Sequence, residues 1–250
     1  MEIVVTGDNS KTLFNPTYKE TYHSKFGAVT ESLTIFIEGS NLAAALTRKN
    51  KQKQKVRVLE IGFGLGLNFL LSADLAKSMQ SQLDYLAIEQ NLLPDNTLQQ
   101  LDYHQQLTYP DIAKRLYEQL RTKNSSVRDN DLDQTHTPAQ AFGAGGNFCQ
   151  FSIVPEINLS LSAQLKAVHA ICRGSIDAIY LDAFSPDCNP ECWTPELLEH
   201  LAGLLCPQGA LLTYSAKSIV RRRLIAAGLQ VQRLPGPPGK REFIKATPSG

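Results

Sequence analysis

Hydrophobic positions fall along this chain in two alternating rhythms. Compact apolar runs at Val56–Ile61, Tyr85–Ile88, Cys149–Val154 and Ile176–Leu181 predict buried strands. Between them, helical spacing predicts helices at Leu67–Met79, in polar segments on both sides of Pro110, at Leu159–Ile171, and at Thr194–Cys206 with Pro195 in its first turn. Gly209–Tyr214 predicts one more strand, Ala216–Ala227 a helix, and Gln230–Leu234 and Glu242–Ala246 two closing strands. Repeated β-α units predict a mostly parallel, doubly wound sheet with helices on both faces. The last two strands have only Pro235-Gly236-Pro237-Pro238-Gly239 between them, so they are expected to pair antiparallel at one side of the sheet.

Ahead of this pattern, residues 1–50 read as a small β extension. Glu2–Thr6 and Lys11–Phe14 flank the turn-rich Gly7-Asp8-Asn9-Ser10, predicting a hairpin, and Asn41–Lys49 predicts a short helix capped by Ser40 or Asn41. Residues 51–250 then form the main domain. Within it, Arg121–Asn147 is rich in Asn, Asp, Ser, Thr and Gly without an apolar period, and is expected to be a flexible surface insertion. The 250 residues, 42% apolar and 20% charged, suit one soluble α/β domain. No run of about 18 apolar residues suggests a membrane span, and the start shows no basic segment leading into an apolar one, so a cytoplasmic setting is expected. Five cysteines, an odd and irregularly spaced set, point to a reducing compartment. Cys188 and Cys192 have no second pair at matching spacing, so no metal is expected. A net charge of +1 leaves any nucleic-acid contact to a local patch.

The sharpest chemistry lies in Val58-Leu-Glu-Ile-Gly-Phe-Gly-Leu-Gly-Leu-Asn-Phe69. A buried strand runs into glycines that open a helix, at the carboxyl end where such sheets bind ligands. Gly62, Gly64 and Gly66 allow tight turning and close approach to a ligand. Leu67 stands where the dinucleotide fingerprint requires a third-spaced glycine. Glu60 instead suits a cation such as the methionine ammonium of S-adenosylmethionine, and Glu89, ending the next strand, suits two ribose hydroxyls. With Phe63 and Asn68 of the same run, these are the candidate cofactor-binding residues. A parallel sheet closing on an antiparallel strand pair is also the Rossmann-like class I methyltransferase variant of the fold rather than the dehydrogenase one.

A second cluster follows Ile176–Leu181, in Asp182-Ala-Phe-Ser-Pro-Asp-Cys-Asn-Pro-Glu-Cys-Trp193. An acid with two aromatics on a proline-stiffened loop suits an amine acceptor; the bland alternative is a loop whose Phe184 and Trp193 fill core space.

Here the chain resembles the tRNA 5-methylaminomethyl-2-thiouridine methyltransferases, the N-terminal half of MnmC and its stand-alone MnmD counterparts. The resembling residues are Glu60–Phe69, Leu181–Pro186, Asn189-Pro190, Trp193-Thr194 and Gly239–Phe243, with Tyr22-His23-Ser24, Gly27-Ala28 and Glu31-Ser32 near the start. The resemblance implies methyl transfer from S-adenosylmethionine to the amine of 5-aminomethyluridine at the tRNA wobble position. It implies Asp182 at the acceptor amine, Phe184 and Trp193 walling the uracil, and Pro186 and Asn189 as further substrate contacts. It also implies an acid after the third strand at the adenine amine; Val154-Pro155-Glu156 stands where the family shows Gly-Asp, making Glu156 the candidate. Ending at Gly250, the chain is expected to lack the FAD-dependent oxidase half of MnmC. For tRNA phosphates the candidates are Lys240 and Arg241, with Lys217 and Arg221–Arg223 on a nearby helix. A small-molecule amine methyltransferase, an aminopropyltransferase and a non-catalytic adenosyl- or tRNA-binding module are the alternatives that these residues leave open.

Overall fold

The computed structural model describes residues 1–126 and 148–249. An eight-stranded sheet runs in the order β10-β11-β9-β8-β4-β5-β7-β6. Its parallel centre consists of β9 (Leu205–Thr213), β8 (Ile176–Leu181), β4 (Val56–Ile61), β5 (Leu83–Ile88) and β7 (Ile157–Ser162). At one side β11 (Glu242–Pro248) pairs antiparallel with both β9 and β10 (Leu229–Pro235); at the other, β6 (Cys149–Val154) pairs antiparallel with β7. This is the doubly wound, mostly parallel class I methyltransferase sheet expected from the chain pattern, with its antiparallel ending.

Strand alternation explains why both faces are covered. Along β4, Val58 joins one buried cluster with Tyr85 and Tyr180, while Leu59 and Ile61 join the other with Leu86, Ile88 and Leu181. The first face packs under α1 (Ala28–Ser32), α2 (Leu42–Lys51), α3 (Leu67–Ser78), α4 (Asp95–Gln99) and α5 (Asp111–Ser126). The second packs under α6 (Pro195–Leu204) and α7 (Ser218–Ala226). The Thr194 hydroxyl accepts from the Leu197 N–H at 3.3 Å, capping α6 ahead of Pro195. No helix among the described residues is long and apolar enough to cross a membrane.

A separate three-stranded sheet precedes this body: β1 (Glu2–Val5) and β2 (Lys11–Asn15) form the expected hairpin, and β3 (Glu20–Thr21) adds to β2. Several features depart from the chain pattern. Residues 157–170 form β7 and a short 3₁₀ turn (Leu165–Ala170) rather than one helix, because Ile157, Leu159 and Leu161 alternate at a strand's period of two and bury one face. Residues 28–38 form α1 and a π-type turn (Leu33–Glu38) that the pattern did not signal. Asn41 starts α2 in the left-handed conformation without a side-chain cap, and the Ser40 hydroxyl donates to the Phe36 carbonyl instead. Helix α5 takes in residues 121–126 of the supposed insertion; the remainder, 127–147, lies outside the described residues.

Candidate functional site

The carboxyl ends of the parallel strands are fastened to one another where their loops depart. The Gly62 N–H donates to the Ile88 carbonyl and the Asp182 N–H to that of Ile61, each at 2.9 Å. Gly62 has φ 93°, and a Cβ there would lie 2.8 Å from the Asp182 carbonyl oxygen, so only glycine lets the two loops run side by side. Gly64, φ 51°, donates its N–H to Glu89 Oε2 at 2.8 Å, while the Asn91 N–H donates to Glu89 Oε1 at 2.9 Å. The Glu89 carboxylate is thereby aimed into a cleft of about 780 Å³ with lone pairs to spare. Gly62, Gly64, Glu89 and Asp182 all line this cleft.

Beneath that wall lies a buried acid pair. The Asn68 amide donates one N–H to Glu60 Oε1 and the other to Asp182 Oδ2, both at 2.8 Å, and Tyr85 donates its hydroxyl to Glu60 Oε2 at 2.9 Å. Glu60 is only 1% exposed, and burial pushes its carboxyl up to about 8 despite the two donors. Asp182 opens onto the cleft; burial, then the carboxyls of Glu60 and Glu31, lift it well above the usual carboxylate range, against the Asn68 amide and the Lys240 ammonium.

The acceptor side is built from distant parts of the chain. Phe184 stacks on Tyr18 with centroids 4.3 Å apart and meets Tyr22 edge-on at 5.0 Å. Glu20 in β3 anchors the loop after β8: it accepts the Ser185 hydroxyl at 2.6 Å, the Ser185 N–H at 3.2 Å and the Cys188 thiol at 3.2 Å. Trp193 donates its indole N–H to the Phe184 carbonyl at 2.9 Å, and Tyr214 its hydroxyl to that of Ala183 at 2.9 Å. Opposite, Lys240 Nζ sits 4.5 Å above the Tyr214 ring and 3.2 Å from Glu31 Oε1, while Glu31 Oε2 accepts the Ser24 N–H at 2.6 Å. Asn189 also lines the cleft; its Nδ2 donates to Glu191 at 3.2 Å, and its buried Oδ1 has no partner among the described residues.

Several candidates from the sequence sit elsewhere. Glu156 lies exposed in the turn between β6 and β7, with its carbonyl bonded to the Leu83 N–H, at the amino end of the parallel strands and so opposite the cleft. The chain pattern makes β6 the third parallel strand, which would bring Glu156 to the cleft; β7 holds that position instead, and Ser162 ends it. Glu60 and Asn68 lie behind the wall and reach it through Asp182. Phe63, 2% exposed, packs on Phe69, and Gly66 starts α3 with the Phe63 ring beneath it. Trp193, 0% exposed, is a core residue that holds the Phe184 carbonyl, and neither it nor Pro186 lines the cleft. Lys240 lines the cleft, whereas Arg241 is exposed. Tyr18, Glu20, Tyr22, Glu31 and Tyr214 line the cleft without having been singled out for a role, although Tyr22 and Glu31 stood in the resembling motifs. No group of three metal-ligating side chains occurs among the described residues.

The cleft suits S-adenosylmethionine in its acidic lining and in the backbone path that only Gly62 permits. Residues 147–249 match a family described as S-adenosyl-L-methionine-dependent methyltransferase. Over 75 residues the chain is 47% identical to the tRNA 5-methylaminomethyl-2-thiouridine biosynthesis bifunctional protein MnmC of Pseudomonas paraeruginosa, covering 30% of this chain and 12% of that protein. The MnmC of Aeromonas hydrophila is 46% identical over 71 residues, covering 28% and 11%. The matched stretch is thus a small part of these longer relatives. The crystal structure of MnmC2 from Aquifex aeolicus superposes with a TM-score of 0.68 at 25% identity, covering 100% of this chain and 72% of that one. By these matches and by its fold, the chain is an S-adenosylmethionine-dependent methyltransferase, similar over part of its length to MnmC.

Proposed function

We propose that this enzyme methylates the exocyclic primary amine of 5-aminomethyl-(2-thio)uridine at the wobble position of tRNA, giving 5-methylaminomethyl-(2-thio)uridine. The observation that carries the reading is the pairing on one cleft wall of the Asp182 carboxyl with the Phe184 ring, itself stacked on Tyr18 and flanked by Tyr22. Such a wall offers a planar base aromatic faces and its amine an acid. The names of the MnmC relatives support the same acceptor.

S-adenosylmethionine, when bound, supplies an electrophilic methyl group. Gly62 and Gly64 would pass their backbone along it, and Glu89 would accept its ribose hydroxyls. Asp182 attracts and orients the acceptor ammonium, and then takes up the proton that must leave before nitrogen can attack. An alkylamine of pKa near ~10.4 is neutral in only about one molecule in 2,500 at pH 7, so this proton is the main chemical obstacle. Glu60, through Asn68, steadies the Asp182 carboxyl, while Glu20 and Trp193 fix the loop that carries it. Holding both reactants in line can lower the barrier by ~7–11 kcal/mol. An RNA acceptor also fits the expected cytoplasmic setting.

The test is incubation with labelled S-adenosylmethionine and tRNA bearing the unmethylated aminomethyl group, followed by nucleoside mass spectrometry. The expected product is the methylaminomethyl nucleoside. Label in free small amines with none in tRNA would overturn the reading.

A further inference from the structure

At the edge of the cleft one large aromatic faces solvent. Phe26 is 62% exposed, yet it is firmly held. Its N–H donates to the Ser24 hydroxyl at 3.2 Å, and the flanking Lys25 carbonyl accepts the Gly7 N–H at 2.9 Å. The ring lies against the backbone of Gly239, which has φ +83° and where any Cβ would overlap it. One side of the ring is therefore supported by the turn between β10 and β11. Its chain neighbour Lys25 and Lys240, the residue after Gly239, both line the cleft, so the ring stands between two residues of the cleft wall. Leaving so large an apolar ring in water is unfavourable relative to burying it, which makes it a place to look for a partner.

We propose that Phe26 is a stacking platform for an unpaired nucleotide adjoining the target uridine, with Lys25 and Arg241 meeting the phosphates on either side; the proposal rests on the RNA-acceptor reading above. Bases of single-stranded loops are commonly recognised by stacking on an aromatic face, whatever their identity. The surroundings suit a polyanion better than an apolar protein surface: Lys19, Lys25 and Arg241 are exposed near this edge, and no ion pair joins them to an acid among the described residues. The nearby acids are engaged elsewhere. Asp8 accepts from Thr6, Ser10 and Thr30, and Glu31 holds Lys240.

The experiment uses an anticodon stem-loop RNA with 2-aminopurine beside the target uridine, bound to the wild-type protein and to F26A, F26L and F26W. Stacking quenches this fluorophore, so wild type and F26W should quench it on binding. F26A and F26L should leave it bright, and their Kd for the RNA should rise about five- to a hundred-fold. Affinity for S-adenosylmethionine should be the same in all four, which checks the fold. Equal quenching and equal Kd in F26A would overturn the platform, and so would an F26L that behaves like wild type, since leucine keeps the apolar contact without the ring. The readout is binding, so the two ideas separate. Quenching without methylation would remove the function and leave the platform; methylation with unchanged F26A binding would do the reverse. A wild type that binds no RNA would remove both.

Discussion

The carboxyl of Asp182 stands among the acids Glu60 and Glu31 and the Lys240 ammonium. Burial and the two acids favour its protonated form, whereas an arriving ammonium favours the carboxylate. Asp182 is therefore expected to change charge as the acceptor enters, which is useful for a group that must both attract an amine and relieve it of a proton. Asp182→Asn keeps the size and loses charge and basicity. Cofactor affinity should survive, while the methyl-transfer rate falls by about 10²–10⁴. Single-turnover rates measured from neutral to alkaline pH check this. Partial rescue at high pH would identify proton acceptance as the main role, since solvent then supplies neutral amine. Wild-type rates throughout would reduce Asp182 to a loop-structuring residue.

Among the elements, the loop after β8 depends on contacts made far away in the chain. Trp193 fills core space and secures the Phe184 carbonyl, and Glu20 holds Ser185 across 165 positions of sequence. Trp193→Phe leaves a cavity and frees that carbonyl, so stability should fall by about 1–3 kcal/mol. kcat/KM should fall with it, while cofactor affinity stays near wild type because Glu89 and the glycines hang from β4 and β5. Thermal melts alongside cofactor calorimetry separate these effects. The same element shows what the chain discloses by itself. Strands β4, β5 and β8 are legible because they are apolar on both faces, and the glycine run and Asp182 follow from them. Strand β7 was obscured because Leu165 and Val168 extend its Leu159 and Leu161 into a helix-like spacing, and Glu156 was misplaced as a result. The wall made by Tyr18 and Tyr22 was hidden for another reason: β3 is two residues long, and no local period announces a contact with Phe184.

For the whole molecule, the buried acid pair ties folding to pH. Glu60 is lifted from an ordinary 4.5 to about 8, so the folded protein binds a proton that the unfolded chain gives up earlier. Its contribution is full below about pH 4.5 and is lost as pH rises through about 8. The ligand-free protein should melt at progressively lower temperature across that window, and Glu60→Gln, which stays neutral, should flatten the trend. Melting curves for the two proteins across the window check this, and parallel curves would mean that Glu60 keeps its ordinary ionisation. The Glu31–Lys240 pair has a consequence of another kind, in the timing of synthesis. A polypeptide leaves the ribosome from its N-terminus, so Glu31 emerges long before the lysine that will sit beside it. The glycine loop and Glu89 can take shape while that lysine is still to be made. The side of the cleft closed by Lys240 is then the last part to be completed.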